Sequence, residues 1–483
     1  MDNIHNKNKN KRTFTLSEFR KEVGLPLIVV RKLVVKGEIE AHRAVDGTLR
    51  IAEEEIHDIK GLLKDPKEKT KIYLKTLGPG LITGASDDDP SGIGTYSAVG
   101  AKFGFGIIWL AAWLLPMMLA VQEVCARIGV VTNKGLAGVL QRHYRKKIVF
   151  FAVLLLIIVN IVNIGADLGA MGASLEMITG INFYFSVIIF ATVSILFEVF
   201  IGYHIYAKFL KWLSFSVLAY IVTGLIVHPN WLTVLKSSFI PHFSWDEEYI
   251  FATIAVFGTS ITPYLFFWQA SEEVEENKLA HRIFFKNKKA LHGRITRMRT
   301  DVKTGMILAN VVFFFIVLTT AQILFKNGIT EINSPQDAAL ALRPLAGDWA
   351  YFLFAFGIIG TGLLAVPVLA GSGAYALCEM MKWKEGLDLK FNRARGFYFI
   401  IILSILFGLV LNFFNVNPIK ALYWAAYLNG IVALPLLVAI MVVGNDKKIM
   451  GEEIHPGWVK FFGWLATVFM LLALLSSIVL SIK

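Results

Sequence analysis

Apolar blocks of about twenty residues recur from Leu77 to the end of the chain, most of them set off by charged residues, and nothing else in the sequence constrains the fold as strongly. A block of that length crosses the hydrocarbon core of a bilayer as a helix. Inside that core only helices and closed barrels satisfy their own backbone polar groups. About eleven segments are expected, near 77–98, 104–128, 148–178, 183–202, 207–228, 249–274, 304–325, 347–380, 397–411, 418–443 and 458–481. Charged residues make up 17% of the 483, against about 25% in ordinary soluble domains. A large soluble enzyme and a disordered chain are excluded. Cys125 and Cys378 both lie in apolar blocks, so a disulfide framework is excluded too.

The net charge of +12 is informative through its location. Residues 1–70 hold 15 Lys/Arg and 12 Asp/Glu, about a third of all charges, which marks a boundary between a polar module (1–70) and a membrane domain (71–483). The hydrophobic stretches begin after this module, so no signal peptide is expected. Within the module, Thr15 to Glu18 reads as a capping box opening a short helix. Pro26 starts a second helix over Leu27 to about Val35. Ala41 to Ile51 reads as a hairpin turning at Asp46-Gly47, and Glu53 to Leu63 as a third helix.

The remaining basic residues set the orientation. Arg142, Arg145, Lys146 and Lys147 separate segments two and three, and Lys208 and Lys211 separate four and five. The loop 278–303 carries nine basic residues against Asp301 alone. Basic loops face the cytoplasm, which places the amino terminus inside and the carboxyl terminus outside a multi-pass cytoplasmic-membrane protein.

Segment one contains three adjacent aspartates, Asp87, Asp88 and Asp89, followed by Pro90, Ser91 and Gly92. One carboxylate at mid-membrane depth costs at least about 2.5–3.5 kcal/mol. Three together cannot face lipid from a regular helix. Pro90 removes a backbone donor, so the helix is expected to unwind and leave carbonyls lining a cavity. Carboxylates with freed carbonyls make a hard, oxygen-rich cation site. Segment six carries a matching interruption at Gly258, Thr259, Ser260, Thr262 and Pro263. Paired breaks in corresponding segments of two five-helix halves point to a secondary transporter built as an inverted repeat, with its site at the midplane.

These residues also resemble a family. "GPG", "DPSG" and "GAKFGFGIIW", then "QEVCARIGVVTNKGLA" and "ADLGAMGASLEMITGIN", are similar in order and spacing to motifs of the Nramp divalent-metal transporters. The resemblance covers residues 77–482. It implies an all-α polytopic membrane protein with a LeuT-type inverted repeat of five plus five helices and one more. It also implies metal ligands at Asp89, at the Ser86 and Thr259 carbonyls, and at Thr262. The departures are as telling. The family's asparagine is Gly92 here, its methionine Thr262 and its histidine Tyr264. In the third helix Asp167 is kept, but a glutamate has become Ala170.

Losing a thioether leaves oxygen donors only, which moves preference from softer transition metals towards Mg²⁺, with Mn²⁺ still admitted. The missing amide at Gly92 is expected to open room for water, as in the Nramp-related magnesium transporters. Asp87 and Asp88 are expected to hold a hydrated ion through its waters, to cap the broken helix, or to pair with Lys102. Asn429 is either a pathway amide or a packing amide. Glu123, Glu176 and Glu198 read as interhelical or interfacial groups. The run 271–276 reads as a solvated helix end. With the family's histidine and one acid gone, uniport-like flux is favoured over strict proton symport.

The residues of the amino-terminal module resemble an excisionase/MerR-like winged helix-turn-helix. Its net charge of only +3, from 15 basic and 12 acidic residues, favours a regulatory protein partner over DNA. Two other functions stay open at this point. One is a membrane-tethered DNA-binding regulator or sensor; the other is an amino-acid transporter, whose substrate carboxylate the aspartate triplet would repel. The partners expected are a divalent metal cation, carried as substrate, and the lipid bilayer. No enzyme activity and no cofactor is expected.

Overall fold

The computed structural model describes residues 13–23, 39–43, 48–62, 78–201, 215–281, 288–387, 389–414 and 416–481, with Val30 and Val34. The chain divides into two compact units, 1–78 and 79–483.

In the first unit, β1 (Thr13–Thr15), β2 (Ala41–Arg43) and β3 (Leu49–Ala52) form an antiparallel sheet in the order β1-β3-β2. Two helices, α1 (Leu16–Val23) and α2 (Glu53–Leu62), accompany it. The capping box is present: Thr15 N donates to Glu18 Oε2 at 2.9 Å and Glu18 N to Thr15 Oγ1 at 3.3 Å. Leu16, Phe19, Ile51 and Ile56 are buried. The expected helix at 27–35 and the turn at 46–47 fall largely outside the described residues, so the winged-helix assignment is not established by these elements.

In the second unit the first apolar segment is two helices, α3 (Pro79–Asp87) and α4 (Pro90–Phe103). There follow α5 (Trp109–Thr132), α6 (Leu136–His143), α7 (Lys146–Thr179) and α8 (Phe183–Phe200). Segment five lies partly outside the described residues and continues as α9 (Ala219–Ile226), with α10 (Trp231–Phe239) after it. Segment six is again broken, into α11 (Glu247–Ser260) and α12 (Pro263–His281). The remaining long helices are α13 (Lys288–Ile323), α14 (Ala350–Met381), α15 (Arg395–Leu411), α16 (Pro418–Asn445) and α17 (Gly457–Ser481).

Among the described residues nine helical stretches are long and apolar enough to cross a membrane. The basic stretch 278–303 is not all loop as expected, since α13 is helical from Lys288. Its charges mark where the polar interface begins, and a helix need not end there. Large apolar side chains are exposed on α7, α8, α15 and α17, including Phe151, Phe185, Phe407 and Leu472, the pattern of a lipid-facing rim. Both broken segments are buried within that rim.

Small residues let the broken helices sit backbone to backbone on their neighbours. A Cβ at Gly80 would lie 2.5 Å from Val302 N, and one at Gly84 would overlap the backbone of Gly305, so α3 packs directly on α13. A Cβ at Gly258 would likewise overlap the Ala426 carbonyl, which seats the end of α11 on α16. The first amides of α3 find their partner on another helix. Asp301 on α13 accepts from Gly80 N at 2.7 Å and Leu81 N at 3.3 Å, satisfying those orphan donors with a charge-assisted contact.

Candidate metal site

The two breaks have the same cause. In a continuous helix the carbonyl of residue i accepts from the amide of i+4. Four residues after Ser86 stands Pro90, and four after Thr259 stands Pro263, neither of which has an N–H to give. The carbonyls of Ser86 and Thr259 are therefore excluded from helical bonding by sequence. The spacing is legible in the chain, and it selects the same two positions that the Nramp resemblance implies as ligands.

Asp89 is the N-cap of α4, with Pro90 at the first helical position. Its Oδ1 accepts from Gly92 N at 2.7 Å and from Ser91 Oγ at 2.6 Å. The Tyr264 hydroxyl lies 3.1 Å from Asp89 Oδ2 and 2.9 Å from the Ser86 carbonyl oxygen, with one proton to share between them. Ser91 Oγ is 3.3 Å from Thr259 Oγ1, and Tyr96 hydroxyl is 2.9 Å from Ser260 Oγ. Ser86, Asp89, Ser91, Gly92, Thr259 and Tyr264 are thus brought together from both broken helices.

The surroundings are closed to solvent. Ser86, Asp87, Asp89, Thr259, Thr262, Tyr264 and Asp167 are all at most 2% exposed, and Asp88 is 7% exposed. Both carboxylate oxygens of Asp87 and Asp167, Oδ1 of Asp88 and the Thr262 hydroxyl have no hydrogen-bond partner among the described residues. Asp87, Asp88 and Asp167 each interact electrostatically with Asp89. A buried carboxylate without a partner is costly, and a cation is one remedy. No three His, Cys, Asp or Glu side chains among the described residues are grouped to hold one ion. A donor set here consists of one well-oriented carboxylate with neutral carbonyl and hydroxyl oxygens.

Several expectations are corrected. The cap of the broken helix is Asp89 and not Asp87 or Asp88. Lys102 pairs with Glu248 at 2.7 Å. Gly92 does not open a roomy pocket, because a Cβ there would stand 3.0 Å from the Asp87 carbonyl oxygen and 3.4 Å from Tyr96. Of the two readings left open for Asn429, the contacts favour the packing amide: it exchanges amide hydrogen bonds with Asn163 at 2.9 and 3.2 Å, joining α16 to α7. The run 271–276 is not a solvated end, since Ser271, Glu272, Glu273 and Glu275 are buried and Glu275 accepts from Tyr375 and from Leu387 N. The reading of Glu123 as an interhelical group, by contrast, holds: on α5 it accepts from Arg127 at 2.6 Å and pairs with Arg299 of α13 at 2.8 Å.

A polytopic helical membrane fold with two helices broken around buried oxygen donors belongs to the class of secondary transporters. The family model for natural resistance-associated macrophage protein-like proteins (Nramp) matches residues 80–480, and the chain belongs to that family. A divalent metal cation transporter, MntH, of Klebsiella pneumoniae is 24% identical over 405 residues, covering 82% of this chain and 91% of that one. A manganese transporter of Eremococcus coleocola has a similar fold, with a TM-score of 0.67, 17% identity, and coverage of 86% and 88% of the two chains. Mhp1, a nucleobase-cation-symport-1 family transporter, is more distant, with a TM-score of 0.50 and 12% identity over 83% of this chain and 92% of that one.

Proposed function

We propose that this protein carries divalent metal cations across the cytoplasmic membrane by alternating access, with the ion held between the broken helices. The observation that carries this is the meeting of the two broken helices at Asp89, where Tyr264 bonds both Asp89 Oδ2 and the Ser86 carbonyl and Ser91 lies against Thr259, the two residues whose carbonyls lose their helical partners to Pro90 and Pro263 being Ser86 and Thr259. Thr262 completes the set with a hydroxyl. Asp87, Asp88, Asp167, Ser91, Gly92 and Tyr264 surround it, and the three carboxylates among them favour a cation. The donors are all oxygen, which suits Mg²⁺ and Mn²⁺. The protein's relatives include a divalent metal cation transporter and, by fold, a manganese transporter, which supports the class of ion.

The finer architecture is part of the same reading. Eleven spans form a five-plus-five inverted repeat with one added helix, the amino terminus cytoplasmic and the carboxyl terminus outside, as the basic loops favour. Residues 1–70 act as a separate winged-helix-like regulatory module that binds a protein. The charge balance of that segment supports a protein partner over DNA. Flux is uniport-like, because the positions of the family's histidine and glutamate hold Tyr264 and Ala170.

Uptake into proteoliposomes, comparing Mg²⁺, Mn²⁺ and Ca²⁺ with a pH dye inside, tests these points together. Divalent uptake without internal acidification is the expected result. Absence of uptake for all three ions overturns the transport reading, and acidification that tracks metal entry overturns the uniport.

A further inference from the structure

A second polar contact joins the two broken segments away from the centre. Thr83 on α3 and Gln269 on α12 are fully buried, and Thr83 Oγ1 lies 2.6 Å from Gln269 Oε1. Gln269 Nε2 donates to Glu273 Oε1 at 3.1 Å, one turn further along α12. Glu273 is itself buried; Arg294 of α13 donates to its backbone carbonyl at 2.9 Å and stands 3.7 Å from its carboxylate, leaving the other carboxylate oxygen to Gln269. Thr83 stands one turn before Ser86, and Gln269 lies five residues after Tyr264. The polar groups thus descend in steps from the candidate metal site towards the amino-terminal end of α3.

The residues that precede Gln269 on α12 are apolar and buried, among them Leu265, Phe266 and Trp268. A threonine and a glutamine set against each other among such residues need a reason, since an apolar pair would pack there without any polar group to satisfy. The two faces of α3 also differ in strength. On α13 it is held by close backbone packing at Gly80, Gly84 and Gly305 and by the Asp301 carboxylate. On α12 it is held, among the described residues, by the Tyr264–Ser86 bond and the Thr83–Gln269 bond, both between neutral groups. When α3 parts from a neighbour, the weaker face yields first, and it yields along the line of oxygens.

We propose that the Thr83–Gln269 contact is the inner gate of the cation pathway, and that Glu273 is the first carboxylate the ion meets beyond it. This rests on the transport reading and on the cytoplasmic placement of the start of α3. A cation leaving Asp89 between α3 and α12 must separate Thr83 from Gln269. Their oxygens then replace waters of the passing ion, and Glu273 draws it onward.

Hydrogen–deuterium exchange of α3 in lipid nanodiscs, with Mn²⁺ uptake in proteoliposomes, tests the gate. Thr83→Val and Gln269→Leu are each expected to raise amide exchange across α3 by about two- to tenfold, the worth of one net hydrogen bond. The double variant is expected to fall short of the product of the single effects, because the shared contact can be lost only once, whereas the Thr83–Pro79 and Gln269–Glu273 bonds are lost separately. Thr83→Ser, which restores the hydroxyl, exchanges as wild type, and should Thr83→Val fail to fold, Gln269→Leu carries the same reading. Glu273→Gln keeps an acceptor for Gln269, so α3 exchange stays unchanged while Mn²⁺ uptake slows. Unchanged exchange in both single variants, effects that multiply in the double variant, or undiminished uptake in Glu273→Gln overturns the gate. Wild-type vesicles that take up no divalent cation overturn the transport reading instead.

Discussion

The Tyr264 hydroxyl sits 2.9 Å from the carbonyl oxygen of Ser86, a residue 178 positions earlier in the chain, and so bonds one broken helix to the other at the carbonyl that Pro90 leaves free. The same hydroxyl reaches Asp89 Oδ2 at 3.1 Å. Two oxygens proposed as metal ligands are therefore held by one protein group.

Removing that group sets the oxygens free. Tyr264→Phe is expected to lose about 1–3 kcal/mol of stability without metal, the cost of an unsatisfied buried carbonyl. The rise in melting temperature on adding Mn²⁺ should become larger than in wild type, because the ion no longer competes with the phenol. A metal-induced rise equal to that of wild type counts against shared ligands.

Asp89 has two tasks, capping α4 and supplying charge, and two substitutions separate them. Asparagine caps as well as aspartate, so Asp89→Asn should keep its melting temperature and lose uptake by about tenfold or more, or about 1.4 kcal/mol. Asp89→Ala should lose both, with about 1 kcal/mol less stability from the missing cap. Normal Mn²⁺ and Mg²⁺ uptake by the asparagine variant would remove Asp89 from the site.

Thr262 is buried with an unpartnered hydroxyl. Thr262→Met puts a thioether where only oxygen donors stand, and preference should move towards Mn²⁺ over Mg²⁺ by about tenfold in competition uptake. An unchanged competition profile would place Thr262 outside the ligand set.

His455, between α16 and α17, is buried with neither ring nitrogen hydrogen-bonded among the described residues. Burial, then the positive charges of Arg127, Lys460 and Arg299, push its pKa down to about 3. The unfolded chain takes up the proton first, near pH 6.5, so stability is full above that value and is lost as pH falls towards 3. His455→Leu should remove about 2 kcal/mol of the loss between pH 7 and pH 5. Identical pH profiles of thermal unfolding for the two proteins would show that the imidazole is not held neutral.

Deleting residues 1–70 should leave Mn²⁺ uptake measurable, since every proposed ligand lies in the second unit. Complete loss in a variant that still inserts and elutes as a folded species would make the module part of the transport cycle.

Much of this architecture is legible in one dimension because its causes are local. Apolar runs foretell the long helices, and Pro90 and Pro263 foretell the breaks, since a missing amide acts within four residues. Thr15 and Glu18 foretell their capping box for the same reason. Failures of the sequence reading concern groups whose partners are distant. The acids at 272, 273 and 275 look solvated until Tyr375, Leu387 and Arg294 are folded over them. Gly92 looks like added room until Asp87 and Tyr96 close on it. Thr83 and Gln269 carry no signal beyond being polar in apolar segments, and their meaning comes from touching each other.

The sequence by itself determined that the chain crosses a membrane, where two of its helices must break, and which carbonyls those breaks release. These follow from hydropathy and from proline, whose effects stay within a turn or a span. Only the tertiary structure decided which oxygens are engaged and which stand free: Asp89 held on both oxygens, Asp87 and Asp167 on neither. A hydrogen bond acts over about 3 Å; Ser91 and Gly92, which hold Asp89 Oδ1, are its neighbours in sequence, but Tyr264, which holds Oδ2, stands 175 positions away, and no local pattern could have announced it.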